Sequence, residues 1–291
     1  MASFGRPMNV LSIQSRVAYG CVGNAGAAFA LQRLGHEAWT IDTVAFSNHL
    51  GHPTWRGWAR PAAEVRELVE GLAALGVLDR CDAVLSGYLG EAETGAAVLE
   101  AVVRVRAANP RALYCCDPVM GERGRGLYVP PGVAQVFAES LVPAADIVMP
   151  NAFELEILSG GRTDTAEAAL AAADRLRRGG GKRLVVATGL RRRDGPADAI
   201  EALAVDADGA WLAGTPRLDV AAAGAGDVFA ALFLGHYLRE RNVEAALSRA
   251  VSAIQAVFEA TAAAGATELQ LVAAQDRLQP ADPPVRAVRL R

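Results

Sequence analysis

Short apolar, β-rich runs alternate along this chain with longer stretches whose apolar positions return every three or four residues. Runs at residues 9–14, 37–43, 83–86, 111–116, 146–149 and 183–187 predict strands. The periodic stretches at 26–34, 62–75, 91–107, 132–141 and 165–178 predict helices between them. That order is the mark of βαβ units, so the expected fold is α/β, with a mainly parallel central sheet flanked by helices. Later the pattern changes. Residues 199–205 and 210–215 predict a hairpin turning at Asp208-Gly209, and two long helices follow at about 227–239 and 243–263. The Pro-rich stretch 279–284 predicts a surface crossing before a last short strand at 285–290. With no internal repeat and no low-complexity linker, residues 8–291 are expected to form a single domain behind an N-terminal extension, 1–7.

The 291 residues are 52% hydrophobic, enough for a large core, and the net charge of −3 gives no reason to expect nucleic acid as a partner. The basic run Arg191-Arg192-Arg193 is followed at once by Asp194 and reads as a solvated loop that phosphates can also meet. No apolar leader follows Met1 and no run reaches membrane-spanning length, so a cytoplasmic protein without membrane contact is expected. The four cysteines show no C-x-x-C spacing. Adjacent Cys115 and Cys116 in a strand point to opposite faces, which suits buried apolar residues better than a disulfide or a shared metal.

Ligands of open α/β sheets bind beyond the carboxyl ends of the strands. The residues after the apolar runs are Ser15, then Asp117-Pro118, then Asn151 and Glu154, then Thr188-Gly189. Each has a plain structural reading: Asp117 as an Asp-Pro turn, Glu154 as a first-turn acid favoured by a helix dipole. Taken together, they put two carboxylates, an amide and two hydroxyls along one sheet edge.

The stretch "AAAGAGDVFAALF", residues 221–233, adds a third carboxylate, Asp227, at the mouth of an apolar helix. Asp227 suits an N-cap. It also suits chemistry. A helix start preceded by Gly224, Ala225 and Gly226 offers free N–H groups to an anion. A carboxylate beside that site repels phosphate, so its use there is to take a proton from an alcohol attacking a phosphoryl group. Asp117 and Glu154 then suit Mg²⁺ held through waters. No Walker motif and no G-x-G-x-x-G follows the first strand.

The "GAGD" motif and "PNAFELEIL" resemble the ribokinase-like superfamily, in which G-x-G-D carries the base and N-x-x-E organises the metal. More closely, "LSIQSRVAYGCVGNAGAAFALQRLG", "TVAFSNH", "CDAVLSGYLG", "CDPVMG" and "LQLVAAQDRL" resemble the pyridoxal kinases from about Val10 onward. The resemblance implies a ribokinase-like three-layer fold and ATP-dependent phosphorylation of the 5′-hydroxyl of pyridoxal, usually by a homodimer. By position it implies Asp227 as base and the Gly224, Ala225 and Gly226 amides as anion hole. It implies Ser15, Thr43, His49, Leu50 and Tyr88 around the vitamer, and Asp117, Met149, Asn151, Glu154, Thr188 and Gly189 around Mg²⁺ and ATP. A monovalent cation such as K⁺ is common in that family.

Three positions depart from the family pattern. Ala45 stands where a Gln is usual, Leu50 where a Thr bonds the vitamer, and Arg16 where a His is usual. The pocket is therefore expected to be more apolar than in its relatives. A kinase of another hydroxymethyl compound, such as hydroxymethylpyrimidine, and a non-catalytic vitamer-binding protein remain alternatives.

Overall fold

A computed structural model describes residues 6–179, 184–220 and 223–291. Its strands in chain order are β1 (Asn9–Val17), β2 (Glu37–Phe46), β3 (Gly57–Ala59), β4 (Ala83–Ser86), β5 (Leu113–Cys116), β6 (Gly121–Glu122) and β7 (Gly126–Leu127). There follow β8 (Ile147–Val148), β9 (Leu184–Leu190), β10 (Ala199–Val205), β11 (Ala210–Pro216) and β12 (Val288–Arg289). The helices are α1 (Asn24–Arg33), α2 (Ala62–Ala74), α3 (Glu93–Ala108), α4 (Val133–Val136), α5 (Val142–Ala144) and α6 (Ala152–Ser159). The remaining four are α7 (Ala166–Arg178), α8 (Ala225–Glu240), α9 (Val243–Ala263) and α10 (Leu271–Ala274).

Ten strands form one sheet in the order β12-β11-β10-β9-β8-β5-β4-β1-β2-β3. The six from β9 to β2 in that order pair in parallel. Strand β3 is added antiparallel at one edge, and β10, β11 and β12 extend the other edge as antiparallel strands. One core packs α1, α8 and α9 on one face of the sheet. The other packs α2, α3 and α7 on the opposite face. Cys115 belongs to the first core and Cys116 to the second, as their adjacency in a strand requires. Both are fully buried. Among the described residues, no helix is long and apolar enough to cross a membrane.

The hairpin β10–β11, with Asp206 Oδ1 accepting from the amides of Asp208 and Gly209, matches its sequence pattern. Other boundaries move. Strand β1 runs on to Val17 rather than stopping at Gln14, and β2 to Phe46 rather than Thr43. Ser15 and Thr43 therefore lie inside strands, and so do Thr188 and Gly189, since β9 continues to Leu190. The expected helix 132–141 is α4, a π-turn over Phe137–Leu141, and α5 in succession. The last strand is the two residues of β12, not 285–290. Arg183, residues 1–5 of the expected N-terminal extension, and Ala221 and Ala222 lie outside the described residues.

Candidate active site

The parallel strands end at a cleft of about 280 Å³ lined from several directions. Ser15, Asp117, Met149, Asn151, Glu154 and Thr188 come from the carboxyl side of the sheet. Gly224, Gly226 and Asp227 come from the start of α8, and His49, Leu50 and Tyr88 from the loops after β2 and β4. Three of the residues anticipated there do not line it: Thr43, Gly189 and Ala225. Thr43 is committed elsewhere, its hydroxyl donating to the carbonyl of Tyr88 at 2.7 Å. It fixes the Tyr88 backbone rather than facing the cleft.

Asp227 does not cap its helix. The N-cap of α8 is Gly224, held at φ 86° where glycine is favoured. Any Cβ on Gly224 would also meet the Cys21 carbonyl. Asp227 sits three positions on, in the first turn. Its Oδ2 accepts from the Gly23 amide at 2.7 Å, outside its own helix. Among the described residues, Oδ1 has no donor. The first bond within the helix runs from Val228 N–H to Gly224 C=O. The preceding amides of Gly224, Ala225 and Gly226 thus point out of the helix start unpaired. Burial raises the Asp227 carboxyl to about 6, against a lowering by the Gly23 amide.

Ser15 occupies the point where the β1–β2 register slips between Gln14 and Arg16. Such a bulge re-aims one side chain. Among the described residues, the buried Ser15 hydroxyl has no partner, and it lines the cleft. Gly23 makes room for this arrangement, since a Cβ there would collide with the Ser15 carbonyl and hydroxyl oxygens.

Asn151 and Glu154 form a capping box on α6. Asn151 Oδ1 accepts from the amides of Phe153 (2.9 Å) and Glu154 (3.0 Å), while its Nδ2 donates to the Gly121 carbonyl at 2.8 Å. Glu154 Oε2 accepts from Asn151 N–H at 2.9 Å, and Oε1 from the amides of Met120 (2.8 Å) and Gly121 (3.3 Å). Both side chains thereby bind the base of the β6–β7 hairpin to the α6 start. Glu154 is 2% exposed, and burial raises it to about 7 despite its three donors.

Asp117 is different. Among the described residues, no donor meets its carboxylate. Burial and the charges of Glu154 and Asp227 push it well above the usual carboxylate range. Three buried carboxylates beside a row of free amides suit a bound cation, and Asp117 has the open oxygens to face one.

The β6–β7 hairpin, built on "GERGRGLY", went unnoticed in the sequence. It brings Glu122, Arg125 and Tyr128 to the cleft. Arg125 stacks its guanidinium 5.0 Å from the Tyr128 ring and donates to the Leu50 carbonyl at 3.1 Å, tying the hairpin to the loop after β2. Two glycines at positive φ, Gly124 and Gly126, were the available signal. His49 also lines the cleft, but both ring nitrogens are occupied: Nδ1 accepts from Gly51 N–H at 3.0 Å, and Nε2 meets Glu268 at 3.1 Å. It presents a ring surface to a ligand, not a free hydrogen-bonding atom.

Residues 66–271 match the family model described as phosphomethylpyrimidine kinase. Over 285 residues the chain is 54% identical to the pyridoxal kinase PdxY of Rubrobacter xylanophilus, covering 98% of this chain and 97% of that protein. The pyridoxal kinase PdxY of Deinococcus radiodurans is 51% identical over 278 residues, which is 94% of this chain and 93% of that one. Among solved structures, pyridoxal kinase from Leishmania donovani in complex with ADP and pyridoxamine aligns with a TM-score of 0.88 at 31% identity. That match covers 97% of this chain and 99% of the other.

Proposed function

The chain belongs to the pyridoxal kinase family and is a kinase that phosphorylates pyridoxal with ATP as donor; we propose that Asp227 is its general base and the α8 start its anion hole. The observation that carries this reading is the Asp227 carboxylate, anchored through Oδ2, open at Oδ1 and raised to about 6 beside unpaired amides. Asp227 takes the proton of the vitamer's 5′-hydroxyl as that oxygen bonds to the γ-phosphorus. The bond from γ-phosphorus to the bridging oxygen breaks and ADP leaves with the electron pair. The amides of Gly224, Ala225 and Gly226 hold the charge on the phosphoryl oxygens in passage.

Asp117 and Glu154 would hold a Mg²⁺ ion, whose charge would offset that of the nucleotide phosphates. A monovalent cation such as K⁺ near the phosphates is part of the same reading. Ser15, with its unpaired hydroxyl, contacts the vitamer ring; His49, Leu50 and Tyr88 wall it, and Thr43 holds Tyr88 in place. Met149, Asn151 and Thr188 border the nucleotide. The protein works in the cytoplasm as a homodimer, for which exposed Trp55 and Trp58, before and within edge strand β3, offer apolar surface.

The test is ADP release by the purified protein with Mg·ATP, against pyridoxal, pyridoxine, pyridoxamine and hydroxymethylpyrimidine side by side. Turnover with pyridoxal is expected. Turnover with hydroxymethylpyrimidine alone would move the assignment to that substrate, and binding of vitamers with no ADP release would make the protein a vitamer-binding module.

A further inference from the structure

At the mouth of the cleft lies a cluster of side chains apart from the base and the anion hole. His49 and His52, in the turn that follows β2, both aim Nε2 at one oxygen of Glu268. The distances to Oε1 are 3.1 and 2.7 Å. Glu268 arrives from the segment between α9 and α10, 219 positions beyond His49. The three ligand-type atoms lie within 4.8 Å of one another, and the two imidazole rings are 4.3 Å apart between centroids. Glu268 is 7% exposed, yet its second oxygen, Oε2, is buried without a partner. A buried carboxylate oxygen left unpaired is costly. Gly20 leaves room for this carboxylate, since a Cβ at that position would collide with Oε2.

We propose that His49, His52 and Glu268 form a binding site for a divalent transition metal of the zinc class, with water as the fourth ligand. Two imidazole nitrogens and a carboxylate oxygen are a donor set that zinc takes, whereas Mg²⁺ prefers oxygen ligands alone. The site is thus chemically distinct from the carboxylates around Asp117. Separations of 2.7 and 3.1 Å between Oε1 and the two nitrogens approach the roughly 3.3 Å edge of a tetrahedron with zinc's bond lengths.

Occupancy carries a consequence for the cleft. With Gly51 N–H donating to His49 Nδ1, the ring's hydrogen sits on Nε2. Metal at Nε2 moves that hydrogen to Nδ1, where it needs an acceptor such as a backbone carbonyl. Gly51, whose amide faces this nitrogen, lines the cleft, so the metal site and the cleft mouth share a wall.

The site is tested independently of the kinase reaction, by titrating the purified full-length protein with Co²⁺ and reading visible absorption, then displacing with Zn²⁺. A tetrahedral-type band saturating at one equivalent and abolished by one equivalent of zinc is expected. His52→Ala, at a partly exposed position, should weaken cobalt binding at least about tenfold, the loss that even an outer partner of a metal ligand can cause. Glu268→Gln should do the same, with a thermal melt confirming its fold, while Asp227→Asn should leave the titration unchanged. Absence of the band, or a band unaffected by His52→Ala, would overturn the site. So would a band lost in Asp227→Asn but kept in His52→Ala, which would assign the ion to the cleft carboxylates.

Discussion

The amide of Gly23 and the carboxylate of Asp227 meet at 2.7 Å although 204 positions separate them in the chain. This bond fixes one oxygen of Asp227 from outside its own helix, so the acid is oriented by the β1–α1 turn instead of serving as a cap.

Asp227→Asn separates these roles. Its amide oxygen still accepts from Gly23, so the melting temperature should not fall. The base is gone, and kcat should fall by about 10²–10⁴, the usual share of general-base catalysis. Steady-state kinetics beside a thermal melt checks both halves. Undiminished turnover would refute the assignment.

Activity and stability should slope in opposite directions with pH. Asp227 works only when ionised, so kcat/KM should fall as pH drops through about 6. For stability, the folded-state value is raised above the unfolded one, so between the two the native state binds more protons. The stabilisation is complete below roughly pH 4, the ordinary range of an aspartate, and is lost as pH rises through about 6. Asn at 227 mimics the protonated acid at every pH. The melting temperature of the ligand-free wild type, minus that of Asp227→Asn, should therefore become more negative from about pH 4 to 7.

Glu154→Ala should destabilise the protein by about 2–4 kcal/mol, because three amides, of Met120, Gly121 and Asn151, lose their shared acceptor. Urea unfolding measures this. The KM for ATP should rise as well, since the β6–β7 hairpin and the α6 start are no longer joined. A rise in KM without loss of stability would contradict the bridging role.

Leu50→Thr restores the hydroxyl usual in the pyridoxal kinases the chain resembles. The Arg125 bond goes to the Leu50 backbone carbonyl, so any side chain keeps it. One new neutral hydrogen bond contributes about 1 kcal/mol, and KM for pyridoxal should fall about fivefold with kcat little changed. An unaltered KM would mean that position 50 does not reach the vitamer.

Two glycines give a matched contrast. Gly71 sits on an exposed turn of α2 with open space around its Cα, so Gly71→Ala should stabilise by about 0.5–1 kcal/mol. Gly23 is at φ 60° with Ser15 oxygens where a Cβ would go. Gly23→Ala should lower the melting temperature clearly and abolish turnover. Equal melting temperatures for the two variants would show that the Gly23 turn is adaptable.

Alternation of apolar runs made the parallel sheet legible, and the clustering of Asp117, Glu154 and Asp227 followed from strand ends and one glycine-rich turn. Periodicity could not separate Asp227 as cap from Asp227 as base, because both readings need an acid near a helix start. Only the partner, Gly23, sets the cap reading aside, and it is remote in sequence. The bulge at Ser15 was hidden because a strand with one extra residue keeps an apolar look. The hairpin with Arg125 and Tyr128 was missed since two-residue strands carry no period. The role of Thr43 was misplaced for a related reason: its hydroxyl points to a carbonyl that no local pattern reveals.

The packing of α8 on α1 has a bearing on synthesis. A ribosome delivers residues 9–190, with most of the parallel sheet, well before α8 emerges. Until then Gly23 has no carboxylate to hold, and the segment of α1 at Gly26 lacks Val228, against which any added Cβ would press. Contacts of such long sequence separation form slowly. The nascent chain thus exposes an apolar α1 face for much of translation, and the Asp227 carboxylate is among the last cleft groups to be seated.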